Sequence, residues 1–301
     1  MKAVIVSLLI AFAIASTHPV NREIVQEILN AKTTWTPMEP EANPFAYMSI
    51  EQIKGMLGTR INPANEGRIN MNIVSDQDSF DARAQWPDFV HSIMNQGQCG
   101  SCWAFGATEA LSDRFAIASN GQINVVLSPQ YLVSCDDGNM GCNGGWLDEA
   151  WKFMQNHGLP SQDCVSYKSG GGSTGQCPST CDDGSEMQLY RCGDVQETQS
   201  VADIQNAIMT NGPVEAAFTV YEDFFSYAGG IYRHTSGGVA GGHAIKAVGW
   251  GVEGDTRYWI MANSWGTGWG ENGFFRIAFG ECGIESDVTF APAIVSQAVS
   301  E

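Results

Sequence analysis

The 301-residue chain is long enough for one large or two small domains with a sizeable core. Its formal net charge of −18 lies in the part from Asp76 onward, where 27 acidic residues stand against 9 basic ones; residues 16–75, with 5 basic and 6 acidic, are nearly balanced. Acidity on that scale excludes nucleic acid and anionic lipid as partners, and it suits either solubility alone or work in an acidic vesicle.

The chain opens with Lys2, an apolar run from Ala3 to Ile14 and the small-x-small triplet Ala13-Ile14-Ala15. That pattern reads as a signal peptide over residues 1–15, cut after Ala15, which sends the protein into the secretory pathway. No later stretch has about 18 uninterrupted apolar residues, so no membrane anchor is expected.

Residues 16–75 read as a separate segment without cysteine. Glu23 to Leu29 carry a short helical pattern, and Pro37, Pro40 and Pro44 forbid a continuous helix after it. Ser49-Ile50-Glu51-Gln52 has the form of a helix N-cap, and the helix it starts stops at Gly58. Some 60 residues of this kind make a marginal core of their own. An independent small domain is one reading, and a segment folded against the rest of the chain is the other.

Beyond Asp76 the helices come first. Cys102 to Asn120 has Ala104, Ala107, Leu111, Phe115 and Ala118 at spacings of three and four, with Gly121 as its stop. Leu147 to Asn156 and Val201 to Thr210 are shorter helices ending at Gly158-Leu159-Pro160 and Asn211-Gly212-Pro213. The Ser/Gly-rich composition between Cys164 and Cys177 predicts a flexible surface loop. After Pro213 come strand patterns over Val214 to Tyr221, His243 to Val252, Arg257 to Ala262 and Gly273 to Ala278. Helices followed by strands predict an α+β fold of two subdomains with a cleft between them.

Nine cysteines lie at positions 99, 102, 135, 142, 164, 177, 181, 192 and 282. An odd count in a secreted chain implies a free thiol, and eight can pair. Cys102, at the start of a helix, is the natural odd one out, because a helix N-terminus favours a negative sulfur.

Four separated motifs carry the chemistry. In Gln96-Gly97-Gln98-Cys99-Gly100-Ser101-Cys102-Trp103 two cysteines sit three apart behind a glycine-rich loop. Gly241-Gly242-His243-Ala244 opens an apolar strand, Ala262-Asn263-Ser264-Trp265-Gly266 follows another, and Gly141-Cys142-Asn143-Gly144-Gly145 is a glycine-rich edge. Cys-Gly-Ser-Cys-Trp is the local signature of the papain and cathepsin cysteine proteases. With the other three motifs in place, the chain resembles that family, and its cathepsin B-like branch, over nearly its whole length after the signal.

The resemblance implies a papain-like fold, with a helical left subdomain and an antiparallel, barrel-like right one. It implies an enzyme that hydrolyses peptide bonds through an acyl-enzyme: Cys102 as nucleophile, His243 as base, Asn263 orienting the imidazole, and Gln96 (rather than nearby Gln98) holding the oxyanion with the Cys102 N–H. Gly144, Gly145, Gly242 and Ala244 would line the substrate cleft, and Trp265 would cover the His243–Asn263 bond. Asp287, in Cys282-Gly283-Ile284-Glu285-Ser286-Asp287, falls where the branch places an acid at the floor of the P2 pocket. Residues 16–75 would be an inhibitory propeptide, with Met56 to Thr59 lying over the cleft in the reverse direction to a substrate, and residues 76–301 the peptidase domain. The implied disulfides are Cys99–Cys142, Cys135–Cys177 and Cys164–Cys181, with Cys192 and Cys282 left over, free or joined to each other.

One departure from the branch stands out: the Cys164–Cys177 loop is short and lacks the paired histidines that bind a substrate's C-terminal carboxylate. The expected partners are protein and peptide substrates and the chain's own propeptide, the expected state is a monomer, and the expected location is a lysosome-like vesicle or the exterior. No metal or cofactor is expected. Rival readings each need something else. A thiol–disulfide oxidoreductase would use Cys99 and Cys102 together, a zinc module would need more than Cys177-x-x-x-Cys181, and a non-catalytic relative would have lost one of the four active-site residues.

Overall fold

The computed structural model describes residues 18–62, 70–71 and 77–295. The signal peptide over 1–15 and the boundary near Asp76 lie outside the described residues. In chain order the elements are helix α1 (Arg22–Ala31), strand β1 (Trp35–Pro37), helix α2 (Ile50–Gly55), strand β2 (Phe80–Asp81), helices α3 (Ala82–Gln85), α4 (Cys102–Ala118), α5 (Pro129–Cys135) and α6 (Leu147–Asn156), strand β3 (Gln196–Thr198), helix α7 (Val201–Asn211), and strands β4 (Val214–Tyr221), β5 (Tyr227–Tyr232), β6 (Val239–Glu253), β7 (Thr256–Ala262), β8 (Phe274–Ala278) and β9 (Asp287–Phe290).

The strands form one sheet in the order β1-β5-β8-β7-β6-β4-β9-β3, with β2 on β6. The sheet does not close on itself, which is roughly consistent with the barrel-like subdomain expected, and β5 and β8 run parallel within an otherwise antiparallel set. The path ends at two short edge strands, β1 and β3, that do not meet. The helices α4, α5 and α6 build a second core, in which Ala104, Ala107, Leu111 and Phe115 pack with Leu132 and Trp151. The Ala–Leu–Phe spacing read from the sequence is therefore the helix-facing stripe of α4, although Ala118 at its end is exposed.

The other side of α4 is also covered, because it lies against β4 and β6. Polar residues on that side are consequently buried, and each needs a partner. Asp113 accepts from Lys246 Nζ on β6 at 2.6 Å, from His91 Nδ1 at 2.7 Å and from the His91 N–H at 2.9 Å. Glu109, one turn earlier, is pushed up to about 8, chiefly by burial and partly offset by Lys246. One lysine thus serves two carboxyl groups across the seam between helix and sheet. Arg114 donates to the carbonyls of Gly212, Pro213 and Ala291 and so fixes α4 to the chain entering β4 and leaving β9.

One alternative left open by the sequence is decided, and one expectation changes. Cys192 and Cys282 are both free: Cys192 sits in the helical core and Cys282 packs against the sheet core, so the two subdomains keep them apart. The Ser/Gly loop after Cys164 is tied down rather than loose. Gln130 Oε1 accepts from the N–H groups of Lys168 and Ser169 at 2.6 and 2.9 Å, Thr174 Oγ1 accepts from Cys142 N at 3.0 Å, and Gly170 O accepts from Gln98 N at 2.8 Å. Composition does not reveal these anchors, since they come from α5, the loop around Cys99 and the edge at Cys142.

Among the described residues, the N-terminal segment has no core separate from the rest. Its Ile24, Ile28, Trp35, Phe45, Ile53 and Met56 join one cluster with Phe218, Phe224, Tyr227 and Trp265 of the larger part. The strand β1 extends the sheet by pairing antiparallel with β5, and Trp35 Nε1 donates to Arg233 O at 2.9 Å. Ser49 caps α2 with a complete capping box, Gln52 answering its backbone N–H. From α2 the chain is aimed at the N-terminus of α4.

The Lys246–Asp113 pair yields a stability test. Lys246→Met leaves Asp113 buried with His91 alone, and removing one member of a buried pair is expected to cost about 3–5 kcal/mol. Urea unfolding measures it, and a loss under about 1 kcal/mol would show that the pair does not fix the seam.

Candidate active site

The first residue of α4, Cys102, is fully buried, as are His243 on β6 and Asn263 just after β7. The thiol packs with Leu147 from α6, Ala217 from β4 and Ala244 from β6. It is held between two opposing effects. Burial pushes it up, while the charge of His243, together with hydrogen bonds from His243, Thr59 and the Ala244 N–H, brings it down to about 7. His243 Nε2 donates to Asn263 Oδ1 at 2.7 Å, and Asn263 Oδ1 also accepts from the Ser264 N–H at 2.8 Å. Two donors on one oxygen fix the amide and assign the His243 proton to Nε2. His243 Nδ1 has no other partner and is left for the thiol. The indole of Trp265 lies 4.6 Å from the imidazole, centroid to centroid.

Gln96 is also fully buried, and its side chain is gripped at both ends. Its Oε1 accepts from Ser264 Oγ at 2.7 Å, and its Nε2 donates to Cys99 O at 2.8 Å and to Met56 O at 2.9 Å. Gln98, by contrast, is exposed and accepts from Gln52 Nε2. Ser264 thus contributes to both polar groups, through its N–H to Asn263 and through its hydroxyl to Gln96. Sequence reasoning passed over it as part of the Asn-Ser-Trp run, although a hydroxyl beside that asparagine was the signal.

The N-terminal segment threads this cleft. Thr59 N donates to Gly242 O at 3.1 Å, Gly145 N to Gly58 O at 2.9 Å, and Arg60 N to Gly145 O at 2.9 Å. Thr59 and Gly145 pair in parallel. The approach is close enough to need glycine on both sides: a Cβ on Gly58 would stand 1.8 Å from Gly100 O, and one on Gly242 would stand 2.2 Å from Thr59 O. Gly144 meets the same carbonyl of Gly58 from the other wall. The Thr59 hydroxyl lies 3.0 Å from Cys102 Sγ. Ile61 fills the apolar floor made by Leu147, Ala217 and Ala244, and Asn62 N donates to Asp287 Oδ2 at 3.3 Å.

The candidate catalytic and substrate-binding residues singled out in the sequence therefore lie in or beside one cleft between the helical and sheet parts. The Thr59 hydroxyl had no sequence signal, because nothing in residues 49–59 says which side chain will meet the sulfur. The disulfides are Cys99–Cys142, Cys135–Cys177 and Cys164–Cys181, the first of them tying the loop before Cys102 to the Gly144-Gly145 edge. With Cys99 joined to Cys142, it is not available as a redox partner for Cys102, and Cys177 and Cys181 are engaged in separate bridges.

A buried thiol brought to about 7 beside an imidazole, with an amide donor close by, is an arrangement for nucleophilic attack on a carbonyl. That chemistry agrees with the comparison to known families. Residues 77–292 match the papain family cysteine protease model, and the chain belongs to that family. Its similarity runs to cathepsin B-like members. It is 46% identical to cathepsin B-like CP3 of Giardia intestinalis over 70% of this chain and 73% of that protein. It is 37% identical to cathepsin B-like cysteine proteinase 5 of Caenorhabditis elegans over 92% of this chain and 94% of that protein. Among solved structures, proCathepsin B S9 from Trypanosoma congolense superposes with a TM-score of 0.82 at 28% identity, covering 92% of this chain and all of that one. That neighbour and the procathepsin L 3 structure from Tenebrio molitor are proforms.

The contact between Thr59 and the sulfur can be isolated. Thr59→Val keeps the shape and removes the hydroxyl, so the Cys102 thiol of the full-length chain should titrate about one unit higher. The pH dependence of the ultraviolet thiolate absorbance, taken as the difference from a Cys102→Ser chain, reads this without opening the cleft, and an unmoved midpoint would show that the hydroxyl does not stabilise the thiolate.

Proposed function

We propose that the chain is a secreted-pathway zymogen of an endopeptidase, with residues 16–75 as its prosegment and residues 76–301 as the peptidase. Cys102 attacks the scissile carbonyl, forming the carbon–sulfur bond as the carbonyl electrons move onto oxygen. Gln96 Nε2 and the Cys102 N–H receive that oxyanion. His243, protonated in the ion pair, gives its proton to the leaving amine, and the acyl-enzyme remains. His243 then takes a proton from water, the hydroxide attacks the thioester, and the thiolate leaves with the acid product released. Asn263 keeps the imidazole in plane throughout, and Trp265 keeps water from that bond. The observation that carries this reading is the position of the prosegment: a peptide carbonyl, that of Met56, lies on Gln96 Nε2 while Thr59 lies on the thiol. The donor proposed for the oxyanion is thus already holding a peptide oxygen.

Gly144, Gly145, Gly242 and Ala244 act as the substrate-binding walls in this reading. The mature enzyme works as a monomer in a lysosome-like vesicle or outside the cell, on protein and peptide substrates. The loop from Cys164 to Cys177 contains no histidine, so it offers no cation of that kind for a substrate's C-terminal carboxylate. An assay with matched peptides, one amidated and one a free acid at the C-terminus, is expected to show similar cleavage of both. A strong preference for the free acid would sink the endopeptidase assignment.

Asp287 closes the apolar pocket that Ile61 occupies and supports a P2 site taking Arg as well as apolar residues. With the prosegment over it, burial pushes Asp287 up to about 6, offset in part by the Asn62 N–H. Departure of the prosegment rehydrates the carboxyl and lowers it. The charge that attracts Arg is present above the pKa and lost below it, so the turnover ratio of P2-Arg to P2-Phe substrates should rise with pH, with a midpoint below about 6. Asp287→Ala should flatten the profile and lower the Arg ratio about tenfold, the effect of losing one partly buried ion pair; an unchanged ratio would remove Asp287 from the pocket.

A further inference from the structure

We propose that Tyr167 is a positioning residue for the oxyanion site, tying the disulfide-closed loop of residues 164–181 to the backbone of Gln96 and to Ser101. The inference rests on the reading of Gln96 as the oxyanion donor and extends it to a residue that touches neither substrate nor thiol. The Tyr167 hydroxyl donates to Gln96 O at 2.8 Å and lies 2.9 Å from Ser101 Oγ. Its ring stands edge-to-face on Phe105 of α4, with centroids 4.8 Å apart.

The protons in this chain have one consistent order. A phenol has a single proton and a carbonyl can only accept, so Tyr167 donates to Gln96 and the Ser101 hydroxyl must donate to Tyr167. Ser101 is the N-cap residue of α4, yet its side chain caps no helix N–H. Its hydroxyl is committed to Tyr167 instead. Burial pushes the phenol up to about 12, so it remains a neutral donor wherever the enzyme works.

Both ends of this link are otherwise fixed. The loop is closed by Cys164–Cys181, held to α5 through Gln130, and pinned by Gly170 O on the Gln98 N–H. On its far side Gln96 is held by Ser264, whose carbonyl takes the Gln96 N–H at 2.9 Å and whose hydroxyl meets the side chain at 2.7 Å. Ser264 therefore grips Gln96 from the sheet side and Tyr167 from the helical side. The tyrosine's two contacts are the backbone of Gln96 and the residue just before Cys102, so each proposed oxyanion donor belongs to a contacted residue or its immediate neighbour. A loop that lacks the paired histidines of the cathepsin B branch keeps a role in this way, as a bracket on the loop that carries the donors.

The test uses the mature enzyme and Tyr167→Phe, which keeps the ring and removes the link. The expected result is a loss in kcat of about tenfold with KM for a short peptide nearly unchanged, the pattern of support felt only in the transition state. Binding of a peptide aldehyde, whose hemithioacetal oxygen uses the same donors, should weaken by a similar factor. The pH profile of iodoacetamide alkylation, followed on the Cys102 peptide by mass spectrometry, should not move, because that reaction develops no oxyanion on an acyl carbon. In a Gln96→Ala background, Tyr167→Phe should cost little more. Unchanged kcat, an equal loss in alkylation, or full additivity with Gln96→Ala would each overturn the proposal. If Gln96→Ala alone leaves kcat intact, the reading of Gln96 fails and takes this inference with it. Should Tyr167→Phe not fold, Ser101→Ala probes the link from its other end: a roughly threefold loss in kcat with unmoved alkylation supports it, and an unchanged kcat overturns it.

Discussion

The thiol and the imidazole come from opposite sides of a seam, Cys102 from the first turn of α4 and His243 from β6. Neither element can set the distance alone, so whatever holds α4 against the sheet sets the chemistry. Much of that hold is polar. Lys246 reaches across to Asp113, Arg114 ties the middle of the helix to three carbonyls, and Glu109 is kept near neutral by the lack of water. Buried pairs of this kind add little net stability against an apolar replacement, but a single register satisfies them. A rotation of α4 that carried Asp113 and Arg114 off the seam would leave Asp113, Lys246 and Arg114 unpaired at once.

The N-terminal segment uses that fixed geometry, and its described residues add no core of their own. Its apolar residues complete the sheet-side cluster, and its backbone fills the cleft by three hydrogen bonds to Gly145 and Gly242. The side chains at its centre then meet groups that must otherwise find water: Thr59 the sulfur, and Asn62 the carboxyl of Asp287. Inhibition proposed for such a segment needs no special chemistry. It follows from occupying the donors and walls that a peptide would use.

Around the nucleophile, unlike jobs fall on neighbouring residues. Cys99 staples the loop to Cys142, Gln96 faces the Met56 carbonyl, and Ser101 gives its hydroxyl to Tyr167 rather than to its own helix. Each of these groups is buried, and each leaves its alternatives unsatisfied if moved. The loop is rigid for that reason, despite its two glycines.

Local pattern was enough for much of this. The Cys-Gly-Ser-Cys-Trp run, the Gly-Gly-His and Asn-Ser-Trp motifs, the helix at Cys102, the cap at Ser49 and the strands after Pro213 are legible because each depends on residues close together in the chain. Other features depend on groups brought together from far apart. They include the strand order of the sheet, the parallel β5–β8 pair, the separation of Cys192 from Cys282, the burial of Asp113 with Lys246, and the anchoring of a loop whose composition suggests freedom. Sequence spacing carries propensity and periodicity, but it does not say which distant donor will reach which acceptor. The amino-acid order therefore determined the kind of chemistry this protein carries, whereas the tertiary structure alone decided that Thr59 meets the sulfur and Tyr167 meets Gln96.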